Sequence, residues 1–534
     1  MRRWNGWGDE NFNLALPDEG QSFLAERIGE SQALPDVSLA SVCAEVPATR
    51  LPADTEVDAL IDCSPEARVR HARGQSLSDW LAMRSGNFGV FPDGIAYPQS
   101  NMDVQKLLQY AKRHALQLIP YGGGTSVAGH INPVGSDNPV LTVDMGKMNR
   151  LVDLDRESQI ATFGAGTPGP LVESQLRAQG YTLGHYPQSF ELSTIGGWVA
   201  SRSSGQQSLR YGRIEQLFAG GRIETLKGTL DLPTFPASSA GPDIREFILG
   251  SEGRLGLITE VKVRVSRLPD QESFHVVFFP DWEQARTACR KLVQNRTQLS
   301  MLRLSNATET ETQLALAGHP RLIGLLESFL SLRGAGNGKC MMTFGLTGSP
   351  HQCKNALKEV RQICSVYKGV YAGTRLGKKW AEKRFTMPYL REALWQMGYA
   401  VDTLETATDW DNVDNLLGLI ENNLREGLNE KHESTHVFTH LSHFYSQGCS
   451  IYTTYVFRVA DTYEETLARW KTLKTRTSEV IVRNRGTISH QHGVGKDHAP
   501  FLPVEKGELG MLAIRSLCAT FDPDALLNPK TLVE

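Results

Sequence analysis

Three glycine-rich clusters constrain this sequence more than any other feature. PYGGGTSVAGH at residues 120–130 follows a predicted strand, STIGGWVA at 193–200 opens a predicted helix, and GSEGRLGLIT at 250–259 joins a turn to a strand. Neighbouring glycines let successive backbone N–H groups converge on one point, which suits a phosphate. Any one of these loops alone could be an ordinary turn. Three within a single stretch favour one extended ligand that carries phosphate groups.

A fourth glycine motif, GAGTPG at residues 164–169, matches GxGxxG literally, after a predicted strand and before a predicted helix. However, a proline lies inside it, and no clean βαβ unit with a ribose-binding acid follows. Glu191 has about the right spacing for that acid but falls in a predicted loop. We interpret this motif as a structural turn, which argues against a Rossmann NAD site.

The alternation of strand-like and helix-like runs predicts an α+β fold. We expect an N-terminal helical segment at residues 1–88, a glycine-rich ligand-binding domain at 89–269, and an antiparallel sheet covered by helices at 270–482. A C-terminal segment at 483–534 contributes to the active site and contains a further helix. These boundaries follow the glycines, which thin out after residue 270 and cluster again near residue 493.

Composition excludes several classes of protein. With 56 Lys+Arg against 59 Asp+Glu, the net charge of −3 argues against a large nucleic-acid surface. None of the eight cysteines forms a CxxC pair, so no zinc ribbon or thioredoxin motif is supported, and we expect reduced cysteines in a cytoplasmic protein. No apolar run approaches the ~18–20 residues of a membrane span. Peripheral membrane contact and a homodimer stay open.

Two histidine pairs are candidates for chemistry at neutral pH. In SHQHGVG (residues 489–495), His490 and His492 lie beside glycines that allow a ligand to approach the backbone closely. In THLSH, His440 and His443 would point to opposite faces of a predicted strand, so a metal shared between them would need a bend. Surface or core histidines are the alternative at both places.

Several segments resemble the FAD-binding domain of the vanillyl-alcohol-oxidase-like, or PCMH-type, flavoproteins. The resemblance rests on the first loop and on GHYPQSFELSTIGGWVASRSSG (184–205), YGRIEQL (211–217) and AGPDIREFILGSEGRLGLITEV (240–261). Within that superfamily the chain is most similar to the alkyl-dihydroxyacetone-phosphate synthases, which also share WNGWG (4–8) and SHQHGVG. The resemblance covers residues 4 to about 530. It implies a two-subdomain FAD-binding domain followed by a cap domain with an antiparallel sheet and helices.

The resemblance implies FAD as the cofactor. We expect non-covalent binding, because the first loop carries Thr125 and Ser126 in place of a histidine, and no cysteine lies between residues 64 and 288. The residues that the resemblance places on FAD are Pro120, Gly122, Gly123, Gly124, Thr125, Ser126, His185, Pro187, Ser189, Ser193, Thr194, Gly197, Glu252, Gly253, Leu255, Gly256 and Ile258.

The resemblance also assigns the reacting side chains. It gives catalytic roles to Tyr452, His490, His492 and Arg303, with Tyr452 as the acid/base. It gives substrate contacts to Arg391, Thr403 and His440, with Arg391 on a phosphate, which a guanidinium binds through two parallel hydrogen bonds. Without the resemblance, a half-buried strand aromatic and solvated arginines would be the default interpretations.

The implied reaction is the exchange of the acyl chain of acyl-dihydroxyacetone phosphate for a fatty alcohol, with the flavin as a covalent catalyst and no net redox change. An FAD-dependent dehydrogenase or oxidase of a 2-hydroxy acid or alcohol is the main alternative, and a flavin-binding sensor is a third.

Two departures from the family leave the substrate head group open. The family has three consecutive histidines where this chain has Gln491 in the middle, and its eukaryotic members have an arginine at His440. Related metal-dependent flavin dehydrogenases have a glutamate at the position of Gln491, and an amide is a poor ligand. We therefore expect no metal.

Overall fold

The computed structural model describes residues 1–317 and 320–533. Its first sheet has four strands in the order β1-β2-β4-β3, with β2, β4 and β3 parallel. These strands are β1 (Ile61–Asp62), β2 (Gly94–Ala96), β3 (Gln117–Tyr121) and β4 (Val140–Asp144). The helices of this part are α1 (Asp18–Ile28), α2 (Leu39–Glu45), α3 (Pro65–Arg70), α4 (Leu77–Ser85) and α5 (Asn101–His114). The first glycine cluster begins at the C-terminal end of β3.

The second sheet has five antiparallel strands in the order β5-β6-β10-β8-β9. They are β5 (Leu151–Asp155), β6 (Ile160–Gly164), β8 (Phe218–Thr225), β9 (Gly228–Leu232) and β10 (Leu257–Arg264), while β7 (Tyr181–Thr182) and β11 (Ser266–Arg267) form a separate pair. The helices are α6 (Gly169–Arg177), α7 (Ile195–Ser201), α8 (Ser208–Tyr211), α9 (Ile214–Leu217) and α10 (Arg245–Ile248). The second and third glycine clusters therefore lie at the start of α7 and just before β10.

The third sheet has seven antiparallel strands in the order β15-β12-β14-β13-β17-β18-β16. They are β12 (Gln271–Phe279), β13 (Met301–Ser305), β14 (Cys340–Gly348), β15 (Val370–Tyr371), β16 (Tyr399–Asp409), β17 (Thr435–Phe444) and β18 (Gly448–Arg458). The remaining helices are α11 (Trp282–Gln294), α12 (Ala307–Ala315), α13 (Pro320–Leu332), α14 (Pro350–Val366), α15 (Arg375–Lys383), α16 (Leu390–Gln396), α17 (Val413–Glu426), α18 (Tyr463–Arg483) and α19 (Leu502–Phe521).

One face of the third sheet collects the polar side chains of four strands. Ser305 of β13 is opposite His440, His440 is opposite Tyr452 of β18, and Tyr452 is opposite Glu405 of β16. Cross-strand partners share a face, and side chains two residues apart on one strand also do. Arg303, two residues before Ser305, therefore projects from the same face.

The α+β prediction is confirmed, since the described residues form antiparallel and mixed sheets together with helices. Strand β16 was not predicted, although it carries Thr403 and Glu405. Among the described residues, no helix combines the length and apolar character needed to cross a bilayer.

The third sheet should depend on its buried leucines. Leu441 of β17 is fully buried, whereas Leu325 of α13 is 70% exposed. We expect Leu441→Ala to destabilise the protein by about 2–5 kcal/mol, because it removes buried methyl groups and leaves a cavity. The same change at Leu325 should have almost no effect on the midpoint of urea unfolding. Equal midpoints for the two variants would contradict this account of the core.

Candidate active site

A cavity of about 720 Å³ extends from the glycine clusters to the polar face of the third sheet. It brings together most of the cofactor residues predicted from the sequence. Those that line it are Pro120, Gly122, Gly123, Gly124, Thr125, Ser126, Pro187, Ser189, Ser193, Thr194, Gly197, Glu252, Gly253, Gly256 and Ile258. The cavity is also lined by Arg303, Arg391, Thr403, His440, Tyr452 and His492.

The first glycine cluster lies directly against the second. A Cβ atom at Gly123 would collide with the backbone carbonyl oxygen of Leu192, and one at Gly122 would meet the hydroxyl of Thr194. Gly124 has a φ of +63°, which disfavours other residues. Thr194 in turn caps α7, since its Oγ1 accepts a hydrogen bond from the Gly197 N–H at 3.3 Å. This backbone-lined cradle fits an extended cofactor with phosphate groups.

Glu252 joins the third glycine cluster to the loop 493–495. Its carboxylate accepts hydrogen bonds from the N–H groups of Val494 at 2.6 Å and Gly495 at 2.7 Å. His130 Nε2 lies 3.2 Å from the same carboxylate. The side chain of Glu252 therefore connects two loops, and Glu252 lines the cavity chiefly with its backbone atoms.

Glu405 holds the histidine loop in the same way. Its buried carboxylate accepts hydrogen bonds from Ser489 Oγ at 2.7 Å and from the N–H groups of His490 at 2.8 Å and Gln491 and His492 at 3.0 Å. Burial would raise the pKa of Glu405, but His492 and these donors outweigh it and lower that pKa. Sequence analysis missed Glu405, because neither β16 nor its pairing with the loop was visible.

Tyr452 lies at the centre of the polar face. Its hydroxyl donates a hydrogen bond to Thr403 Oγ1 at 3.3 Å, and burial raises its pKa to about 12. Its ring stacks on His440, with centroids 4.9 Å apart and planes 21° apart, and meets His492 edge-on at 5.9 Å. Three of the predicted site residues therefore surround this phenol.

A buried carboxylate that was not predicted, Glu309 of α12, holds both His440 and Arg303. Its Oε1 lies 3.1 Å from His440 Nδ1 and 2.6 Å from Arg303 Nη2. Burial would raise the pKa of Glu309, but His440 and Arg303 outweigh it and lower that pKa well below its usual range. Burial, aided by Arg303, lowers the pKa of His440. The pair therefore consists of a carboxylate and a neutral imidazole at neutral pH.

Arg391 presents a guanidinium to the cavity without a carboxylate partner among the described residues. Its Nη1 donates to the carbonyl oxygen of Gln75 at 2.6 Å, and its Cζ lies 4.3 Å from the ring centroid of Trp80. An unpaired buried guanidinium is costly, so its presence in a cavity points to an anionic ligand.

Three predicted site residues do not line the cavity. His185 is buried behind it, where its ring packs on Trp198 and its Nε2 lies 3.2 Å from Ser203 Oγ. Leu255 is part of the core of the second sheet. His490 turns away from the cavity, because its Nε2 accepts hydrogen bonds from Tyr445 and Arg213.

The second histidine pair is also divided. A bulge at His443, whose φ is +46°, directs its Nδ1 to within 3.0 Å of Ser204 Oγ, away from the Glu309 side where His440 lies. Within residues 1–317 and 320–533, no three His, Cys, Asp or Glu side chains form a group suited to a metal ion.

Beyond the polar face the cavity becomes apolar. Helices α1, α12 and α16 close this branch against the far end of the third sheet. Its lining includes Leu16, Leu24, Leu314, Leu394, Phe438 and Val456. The side chains that line this branch are apolar, which favours contact with an apolar part of a ligand.

Comparison with known proteins identifies both halves of this site. Residues 92–231 match a family described as "FAD binding domain", and residues 268–532 match "FAD linked oxidases, C-terminal domain". The cofactor is therefore FAD, as predicted, and the cradle described above fits its diphosphate.

Among named relatives, the alkyldihydroxyacetonephosphate synthase of Dictyostelium discoideum is 32% identical over 88% of this chain and 77% of its own length. A solved alkyldihydroxyacetonephosphate synthase superposes with a TM-score of 0.85 at 27% identity, covering 99% of this chain and 98% of that one. p-Cresol methylhydroxylase superposes with a TM-score of 0.66 at 12% identity, covering 89% and 93%. This confirms the predicted PCMH-type architecture with a cap domain.

The contact between the glycine clusters can be tested through flavin content. Gly123→Ala should yield protein with little or no FAD, because its Cβ has no room beside the Leu192 carbonyl oxygen. Gly324→Ala in α13 is the matched control, since nothing lies within 4 Å of a Cβ there. The ratio of absorbance at the flavin band to protein absorbance measures the outcome. Full flavin content in Gly123→Ala would contradict the proposed cradle.

Proposed function

Because the chain belongs to the alkyldihydroxyacetonephosphate synthase family of FAD-linked oxidases, we propose that it exchanges the acyl chain of acyl-dihydroxyacetone phosphate for a fatty alcohol and so forms an ether lipid. One observation carries this proposal. A single cavity combines the FAD cradle, an apolar branch and a guanidinium that has no carboxylate partner among the described residues. A phosphorylated lipid has three matching parts. Its phosphate matches the guanidinium, its hydrocarbon chain matches the apolar branch, and the reactive carbon between these two matches the flavin.

Arg391 binds the substrate phosphate in this proposal. Gln75 and Trp80 already hold its guanidinium in place, so little side-chain entropy is lost on binding. A phosphate there would satisfy the charge of a buried arginine, and the planar fork would fix the orientation of the head group. Thr403, which accepts the hydrogen bond of Tyr452, lies on the same face as a further polar contact.

In this proposal, Tyr452 is the side chain that transfers a proton at the reacting carbon of the substrate. Because its pKa is raised to about 12, it is a protonated phenol at neutral pH and can donate from its hydroxyl, with Thr403 accepting in the resting state. His492 lies at the edge of its ring, and Glu405 fixes the backbone of His492. When bound, FAD supplies the covalent catalysis that divides a difficult substitution into two easier steps.

The apolar branch holds the hydrocarbon chains. Moving a methylene group from water into such a site contributes about 0.8 kcal/mol. The branch also excludes water from the polar face, which strengthens the charges there. His490 stays outside the reacting groups and positions the loop through Arg213 and Tyr445.

The proposed reaction predicts ether formation from labelled hexadecanol and acyl-dihydroxyacetone phosphate. Tyr452→Phe should lower this rate on the order of 10²–10⁴-fold, because it removes a proton-transferring hydroxyl. Tyr399→Phe is the control, since that strand hydroxyl donates to the Gly29 carbonyl oxygen and Tyr399 is not among the cavity-lining residues described. Lipid extraction and chromatography measure the product. Bleaching of the flavin by a 2-hydroxy acid under anaerobic conditions, with no ether product, would favour the dehydrogenase instead.

Non-covalent attachment predicts that acid precipitation releases all of the flavin. Residues 122–126 of the first cluster carry hydroxyls or no side chain, and none of the eight cysteines is among the lining residues described. His130 of that cluster also lines the cavity, but its Nδ1 lies 2.6 Å from Ser126 Oγ and its Nε2 lies 3.2 Å from the Glu252 carboxylate. The supernatant should therefore contain the full yellow colour, and the pellet none. Flavin fluorescence that stays with the denatured chain on a gel would overturn this expectation.

A further inference from the structure

Two adjacent rings on the polar face offer one proton donor and one proton acceptor. Tyr452 keeps its proton, since burial raises its pKa to about 12, while burial keeps the neighbouring His440 neutral. The rings are stacked 4.9 Å apart on neighbouring strands. A phenol that keeps its proton, beside a neutral imidazole with one free nitrogen lone pair, is an acid next to a base, and such a pair often marks a division of roles.

Glu309 determines which nitrogen of His440 is the base. Its carboxylate lies 3.1 Å from Nδ1. Arg303 Nη2 lies at the same distance from Nδ1, but one ring nitrogen cannot donate to the carboxylate and accept from the guanidinium at once. We assign the proton to Nδ1, because Arg303 is already satisfied by Glu309 at 2.6 Å. The lone pair is then on Nε2, which makes no hydrogen bond to any described residue.

His440 also lies at the boundary between the polar and apolar parts of the cavity. Phe438, two residues before His440 on the same face of β17, lines the apolar branch. Arg303, on the neighbouring strand β13, lines the polar part. Across the strand, Tyr452 is its partner and Val456 lies four residues further into the apolar part. An alcohol whose chain fills the apolar branch would therefore place its hydroxyl beside the His440 ring.

We propose that His440 is the general base that deprotonates the incoming fatty alcohol and that Glu309 is its positioning residue. The O–H bond of the alcohol breaks, its electron pair stays on oxygen, and the proton forms a new bond to Nε2. The oxygen forms a new C–O bond to the substrate carbon whose bond to the fatty-acid carboxylate has broken, the carboxylate having left with that electron pair, and the imidazolium returns its proton to water. This inference rests on the proposed function and adds a second proton-handling group beside Tyr452.

The charged and titratable groups that face His440 come from four elements. Arg303 projects from β13, Glu309 from α12 and Tyr452 from β18, while His443 lies on the same strand. Glu309 is the one that raises the basicity of the imidazole, and Arg303 opposes it. Removal of the carboxylate should therefore lower the pKa of His440 further and weaken the preference for protonated Nδ1.

The first test measures the tautomer and the titration of His440 directly. The FAD-loaded protein is labelled with ¹³C/¹⁵N-histidine, and the His440 signals are assigned by their loss in His440→Asn. At pH 7 we expect the Nδ1-protonated neutral form. Glu309→Gln should shift the titration midpoint to lower pH and mix the tautomers. Glu421→Gln is the matched control, because Glu421 is also a buried carboxylate, bound by Asn306. An unchanged titration in Glu309→Gln would overturn the positioning role.

The second test measures alcohol addition. His440→Asn should lower kcat/KM for hexadecanol on the order of 10²-fold, as expected for loss of a general base. Glu309→Gln should lower it roughly 10-fold and move the acidic limb of the pH profile to lower pH. A more acidic alcohol, 2,2-difluorohexadecanol, should recover a larger share of the rate in His440→Asn than in the wild type.

The outcomes separate the two proposals. Wild-type protein that forms no ether would overturn the proposed function and the base role together. Ether formation with unchanged pH profiles in Glu309→Gln, or an equal response of both proteins to the fluorinated alcohol, would overturn the base role alone. A fall in flavin content in His440→Asn would make the histidine a structural residue and would also contradict the inference.

Discussion

The carboxylate of Glu405 accepts hydrogen bonds from one hydroxyl and three backbone N–H groups of the loop that carries His490 and His492. A charged acceptor makes such bonds worth about 1.5–3 kcal/mol each, and loss of one partner of a buried charge costs more. Since Glu405 is also the strand neighbour of Tyr452, the loop is fixed relative to the phenol. The geometry of the polar face depends on this one buried anion.

Glu252 repeats the same solution a few residues further along the loop. Its carboxylate takes the N–H groups of Val494 and Gly495, at the edge of the flavin cradle. A glycine-containing loop has few side chains with which to satisfy its own backbone, and buried N–H groups without partners are costly. The carboxylates of Glu405 and Glu252 therefore fix this loop between the third sheet and the third glycine cluster. Hydrogen bonds from the backbone of the loop to these two carboxylates fix the substrate face relative to the cofactor cradle.

The parts of this site that could be predicted from the sequence are those whose cause is local. Gly122, Gly123 and Gly124 could be predicted because close approach of the backbone and a positive φ exclude other residues there. The strands β17 and β18 could be predicted because they show the apolar periodicity of a buried sheet. Glu309 and Glu405 gave no such signal. Each is an acidic residue in a polar stretch, and its role arises only when α12 packs on β17 or when β16 pairs with β18. The position of His490 outside the cavity could not be predicted for a similar reason, since its neighbours Arg213 and Tyr445 are distant in sequence. The resemblance to a family supplied roles, whereas the contacts that create those roles are long-range.

The contacts of the loop at residues 489–495 bear on the order in which parts of the protein are completed during synthesis. Ser489 reaches Glu405 across 84 residues of chain, and Val494 reaches Glu252 across 242. The flavin cradle, with its glycine clusters between residues 120 and 259, leaves the ribosome long before that loop does. However, the core of the second sheet also contains Ile488, Leu502, Met511, Cys518 and Val533, and the Leu118 N–H of β3 donates to the Leu526 carbonyl oxygen. The dinucleotide-binding half and the loop that handles protons are therefore completed together, by residues 488–533.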